Sequence, residues 1–556
     1  MSSFILILLL GVGGQIIQQI AGESEQNSVS HLDSITRSIT QEYTLHDPII
    51  VKNDDELAAV ANNGTGEIND PYIIANLNIT QSPANGIAIT GTTKHFRIEN
   101  CWIAGSEFCG INVQNIAPGT AIITNNTCTN NFGGGIILSS SNASLVANNS
   151  FNDYEGWEGW GMGSINLFSS SFSTIVNNTF FGNGIEFFAL KEEFLSYTVE
   201  NNTVNNLPLG YLKNKKDSLI TGTYGQLILV NCNNTIVKNQ NCSNTFTGIT
   251  QYYCQENYLV NNTCNNNIEC GIRLISCNSA TMISNTCNFN SFGINLRGSN
   301  SSTLTNNTCN YGYSGIFLWA SDSSTSTNNT CNFNSLGITL QGSSSSILTN
   351  NTCNNNREYG ISLYKSNSST LTKNTCTSNI FAGIHLDDSR FSNLSSNTCN
   401  INGDFSYPLA STQYSGIRLY NSGSSTLNNN ICNGNWRVGI CIENSSYSTL
   451  TNNTCNNNDW YGLYLSSSHS LLLANNIFND NGIRNIILSD SYNITFITTN
   501  PTTNAVETSG YPTSKVETSG YSTSEAETTN SSSPTFTLGF LIVVFGLFSL
   551  IKKRNK

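Results

Sequence analysis

Charge is scarce in this 556-residue chain: Asp, Glu, Lys and Arg make up 10% of it, and they sum to −12. A nucleic-acid groove needs clustered Lys and Arg, so that class of partner is excluded. Acidity this dispersed serves solubility. The 18 cysteines never take the Cys-x2-Cys spacing of a zinc site, and no metal or cofactor is expected. Leucines in the number that a leucine-rich repeat requires are also missing, as is any helical arm within the repeat.

What the chain has instead is repetition. From Cys264 onward Asn-Asn-Thr-Cys is followed by a few polar residues, Gly-Ile-x-Leu and a serine-rich stretch, and then returns. Cysteines at 287, 309, 331, 353, 376 and 399 set a period of roughly 22–23 residues. Apolar residues alternate, as Ile316 and Leu318 do, and Leu304 and Leu371 stand alone between polar neighbours. That is strand periodicity, and the Ser, Asn and Gly clusters are turn chemistry. The pattern predicts an all-β parallel β-helix (a β-solenoid) of about 18 coils, a rod on the order of 85 Å long.

Two columns follow from the register. Asn285, Asn307, Asn329, Asn351, Asn374 and Asn397 each stand two before a ladder cysteine. They are expected to take the left-handed corner and to stack their amides. The cysteines are expected to fill the interior as thiols. Cys101 with Cys109, Cys232 with Cys242, and the group Cys254, Cys270 and Cys277 are the candidates for disulfide pairing.

The boundaries read from composition are a signal peptide at 1–22, a leader and cap at 23–84 with a short helix at 54–61, repeats at 85–497, and a Ser/Thr-rich stalk at 498–534. A transmembrane anchor at 535–551 and a basic cytoplasmic tail at 552–556 complete the chain. These ends describe a protein on the outer face of a membrane. Sequons at Asn125, Asn261, Asn306, Asn328, Asn350 and Asn452 permit N-glycosylation there, although Asn, Ser and Thr are also ordinary turn residues.

Two segments outside the regular array carry a family resemblance. HDPIIVKNDDELAAVA through FRIENCWI (46–103) and NNLPLGYLKNKKDSLITGTYGQLILVNCNN onward (205–249) resemble the corresponding stretches of NosD-like, CASH-domain β-helix proteins, especially surface versions of archaeal type. The resemblance spans about 46–497. It implies a right-handed parallel β-helix whose first segment caps the N-terminal end. NosD itself is linked to copper-site maturation. With 5 His and 3 Met, none clustered, that role is the minor alternative here.

Candidate catalytic residues are His385, Asp387, Asp388 and Arg390. His385 and Asp387 lie two apart, on one outward face, while Asp388 and Arg390 fall at a turn. Candidate ligand-binding residues lie in three insertions that break the repeat: Trp157 and Trp160, then Tyr211, Lys213 and Asp217, then Tyr407 and Tyr414. Rings beside carboxylates and amides suit sugar binding, and packing of the insertions on the rod is the other reading. Two functions stay open: a non-catalytic surface protein that binds glycans or neighbouring surface components, and a polysaccharide lyase, hydrolase or epimerase.

Overall fold

The computed structural model describes residues 43–152, 162–404 and 414–497, and the backbone of 506–509 and 517–518. The segments expected as signal peptide, membrane anchor and tail, most of the expected stalk, and Trp157, Trp160 and Tyr407 lie outside the described residues. Among the described residues no helix is long and apolar enough to cross a membrane.

Nearly every strand pairs in parallel with its counterpart one coil along. The first stack already begins at Thr44–Leu45, ahead of the point where the repeats become visible in sequence. Its coils have three sides: two six-stranded sheets and the first strands of a 21-stranded one. The helix Asp54–Val60 sits where the sequence places it. The side chain of Asn53 caps it by accepting from the N–H of Glu56. Asp54 anchors it to the next coil by accepting from Thr92 Oγ1, Thr93 N and Thr93 Oγ1 at 2.6–2.7 Å. Those bonds hold its carboxyl down at about 2.

At Asn205–Asn206 the stack breaks. Thr203–Val204 pairs antiparallel with the start of Leu207–Lys213, and from there a second stack runs on to Ile497. Its long sheet carries six-residue strands such as Phe292–Arg297. A 14-stranded sheet carries three-residue strands such as Thr303–Thr305. The third side is a line of single bridges, Thr286 to Thr308 to Thr330.

The joint is made by side chains. Leu227 and Leu229 face the second core while Ile228 and Val230 face the first, so this strand closes the open end of the first stack. The Gln226 amide accepts from Ile185 N at 3.0 Å and donates to Ile185 O at 3.1 Å, doing what a further strand's backbone would do. Beside it Glu186 and Arg273 form a buried ion pair that Glu269 shares. Burial pushes the Glu186 carboxyl up to about 7 against the pull of Arg273.

Interior columns explain the repeat. Asn307 is fully buried and donates Nδ2 to Asn329 Oδ1 at 2.9 Å, and Asn329 does the same to Asn351 at 3.0 Å. The left-handed corner, however, is the residue before: Asn306, Asn328 and Asn350 have φ of 55–56°. The expected corner was therefore one position late. The buried Asn serves the ladder, and the exposed Asn serves the bend.

All 18 cysteines are buried thiols, which corrects the expected pairings. Cys232, Cys254 and Cys277 stack in one column, each backbone N–H donating to the next side chain, and the column continues as Ser299 and Ser321. Cys242 lies in the same core as the main ladder. Cys101 takes an Asn-ladder position, with its N–H on Asn126 Oδ1. Cys270 pairs with Phe292 on the outer face of the long sheet.

Candidate functional site

The outer face of the long sheet is where the two stacks differ most from a bland rod. Because pairing is in register, its outward residues form columns. One runs Phe317, Thr339, Ser362, His385, Arg418, Cys441. Its neighbour runs Trp319, Gln341, Tyr364, Asp387, Tyr420, Glu443.

His385 and Asp387 share this face, as their spacing implies. Asp388 takes the corner with φ 48°, and Arg390 is exposed beyond it, its N–H on Asn367 Oδ1. The sequence did not bring in Arg418, Glu443 or Tyr359. Arg418 Nη1 lies 3.2 Å from His385 Nε2. Its Nε and Nη2 hold Glu443 at 2.8 and 2.7 Å, and its guanidinium lies over the Tyr420 ring at 5.1 Å. Tyr359 stacks on the imidazole at 4.5 Å between centroids. Aligning GIHLD with GIRLY and GICIE would have placed Arg418 and Glu443 in these columns. The longer coil at 401–415 hid that alignment by separating His385 from Arg418 by 33 residues.

The electrostatics lock the group. Burial, and then the Arg418 charge, push His385 down to about 3, so it is neutral at any ordinary pH. With Arg418 donating to Nε2, the proton of the ring sits on Nδ1. Burial and the neighbouring Asp388 raise Asp387, and burial raises Tyr359 to about 12. General acid–base work needs a group free to exchange a proton near the operating pH. Here the base is occupied and its partner cation is already neutralised by Glu443. What the face offers a ligand is rings and hydroxyls.

The insertion residues are placed otherwise. Tyr211 Oη donates to Phe194 O, and Lys213 Nζ donates to Leu195 O and Tyr197 O, fastening the short helix Lys191–Ser196 at the joint. Asp217 is an exposed turn residue, φ 49°, that accepts from Asn234 Nδ2. Tyr414 is 1% exposed. It packs with Trp436 and Trp460 around the Arg437 guanidinium, which lies 4.2–5.0 Å from the three ring centroids.

The family model described as periplasmic copper-binding protein (NosD) matches residues 189–324 and 298–410. The one described as right handed beta helix region matches 58–214 and 397–511. No curated protein sequence matches. Among solved structures, the periplasmic alginate epimerase AlgG is 11% identical, with 82% of this chain and 85% of that chain covered at a TM-score of 0.25. The A-module of the Azotobacter vinelandii mannuronan C-5 epimerase AlgE4 is 11% identical, covering 78% and 91% at 0.27. PfbA, a surface adhesin of Streptococcus pneumoniae, is 10% identical, covering 81% and 88% at 0.19. Alignments this loose match coil to coil and say nothing of chemistry.

Copper can be tested against the residues present. Among the described residues no three His, Cys, Asp or Glu side chains gather as a metal site. The ladder thiols sit one per coil within an apolar core, so the side chains do not fit the metal in the NosD description. On fold, repeat and the two family models, the chain is a right-handed parallel β-helix repeat protein that is NosD-like over residues 189–410.

Proposed function

We propose that this chain is a surface-held, non-catalytic β-helix protein that binds extracellular carbohydrate through the outer face of its long sheet. The observation that carries this is the locked His385–Arg418–Glu443 group. In the most reactive-looking cluster on the face the imidazole is held by Arg418 and Arg418 by Glu443, while Tyr364, Tyr420 and Tyr464 stand around it half-buried. Rings and hydroxyls at a charge-neutral surface bind sugars through dispersion and hydrogen bonds. The stalk and anchor read at 498–551 would hold the rod outside a membrane. The enzyme alternative needs His385 released from Arg418, and nothing on the face competes for that cation more closely than Glu443.

A glycan array probed with the chain, followed by incubation of each bound glycan and analysis for cleavage or epimerised products, tests both halves. Binding without product, weakened by Tyr364→Ala together with Tyr420→Ala, is the expected result. Turnover abolished by His385→Gln would establish the enzyme reading instead.

A further inference from the structure

The corner between the bridge ladder and the long sheet repeats in every coil, and its left-handed residue is usually small or polar. Asn266, Asn355, Ser378, Gly434 and Asn457 occupy it with φ of 54–62°, and a lone Ile401 does so at 56°. In three consecutive coils it is instead Phe289, Tyr311 and Phe333, at φ 57, 61 and 59°. A bulky residue in that region costs about 1–2 kcal/mol relative to glycine. These rings are 55%, 49% and 48% exposed, so core packing does not repay the strain. They stack on one another at 4.7 and 5.1 Å with planes within 6°, and their outer edges form a flat apolar band along the rod.

A second row runs beside the band. Asn288, Asn310 and Asn332 immediately precede the three rings. Each is half-buried and uses its Oδ1 to accept the backbone N–H of the next coil at 2.7–2.9 Å, a bond in which its Nδ2 takes no part. Each of the three coils thus supplies one ring edge and one amide, and among these three no Asp, Glu, Lys or Arg occupies either row.

From this pairing we infer a binding strip for an extended, neutral polysaccharide lying parallel to the rod axis. The inference rests on the carbohydrate-binding reading above and assigns it a second contact and a ligand class. The coil repeat of about 4.8 Å is close to the advance of about 5 Å per residue in an extended pyranose chain. Successive sugars meet successive rings with their C–H groups and successive amides with their hydroxyls. A polyuronate has no cation in the strip to meet its carboxylates.

The test is native affinity electrophoresis of the full chain through gels containing xyloglucan, galactomannan, polygalacturonate or alginate. The variants are Phe289→Ser, Tyr311→Ser and Phe333→Ser combined, with Tyr364→Ala plus Tyr420→Ala as the sheet-face comparison. Serine already occupies this corner at Ser378, so the coil accepts it. Retardation by a neutral polymer should weaken about tenfold or more in the triple variant, with Tm little changed because the rings are about half exposed. Retardation that survives the triple variant but is lost in the sheet-face variant overturns the strip and leaves the broader function standing. Retardation by the polyuronates alone also overturns it, as does a fall in Tm with binding unchanged, which would show that the rings only pack. If no polymer retards the chain, both readings fail.

Discussion

Replacing Asn351 by leucine should cost about 3–7 kcal/mol, and the structure says where. Asn351 is fully buried. Its Nδ2 donates to Ser326 O and Asn374 Oδ1, both at 2.9 Å. Its Oδ1 accepts from Asn329 N, Asn329 Nδ2 and Ser326 Oγ at 3.0–3.2 Å. Leucine fits the volume and removes all five bonds. Asn329 Nδ2 keeps Leu304 O and Ser326 Oγ, but the Asn329 backbone N–H loses its acceptor inside the core. One buried orphan costs about 1–3 kcal/mol, and each other lost bond roughly 0.5–1 kcal/mol net. In a solenoid a coil touches only its neighbours, so the loss is local. Hydrogen exchange read by mass spectrometry should speed up in the coils around Ser326 and Asn374 and stay unchanged around Asn126 in the first stack. Asn350→Gly is the control: it removes the exposed corner residue, glycine adopts φ 56° freely, and exchange should barely move. A loss below about 1 kcal/mol for Asn351→Leu, or one spread evenly over both stacks, would refute the ladder as a source of stability.

Two further outcomes follow from buried charge. His385 ionises near 6.5 when unfolded but only at about 3 when folded. Its stabilising contribution is therefore complete above pH 6.5 and is lost as pH falls, at up to about 1.4 kcal/mol per unit. Urea midpoints at pH 7 and 5 should differ less in His385→Gln than in the parent chain, and equal differences would show the imidazole to be accessible to protons. At the joint, Arg273→Met strands Glu186 and should cost about 3–5 kcal/mol. Adding Glu186→Gln should recover part of that, measured by denaturant titration, and no recovery would mean that the ion pair is not what holds the joint.

The coil was legible because it is periodic. The spacing of Ile316, Leu318, Leu304 and Cys309 alone places strands, turns and interior, and all four are buried. Local chemistry inside the period was less legible. Asn306 and Asn307 are the same residue type doing opposite jobs, one exposed at φ 56° and the other buried in a ladder, and only backbone angles separate them. That division of labour also accounts for Asn-Asn-Thr without any glycan, since Thr308 belongs to the bridge ladder. The break in the repeat after Asn205 was visible but its role as a joint was not, because the groups that secure it, Glu186 with Arg273, lie 87 residues apart. The candidate face was half visible: His385 and Asp387 sit two apart within one strand, whereas the contacts that lock the imidazole come from other coils.

The ladder has one more consequence. Each coil between Asn285 and Asn351 presents the same acceptor below and the same donor above. Insertion or deletion of a whole repeat in this interval leaves every surviving neighbour with the partner type it had before. Rod length is thus a heritable variable set by copy number, adjustable in steps of about 4.8 Å, while the joint at one end and the Arg418 group at the other keep their own internal contacts. The array is a ruler whose divisions can be added or removed without re-engineering what it separates.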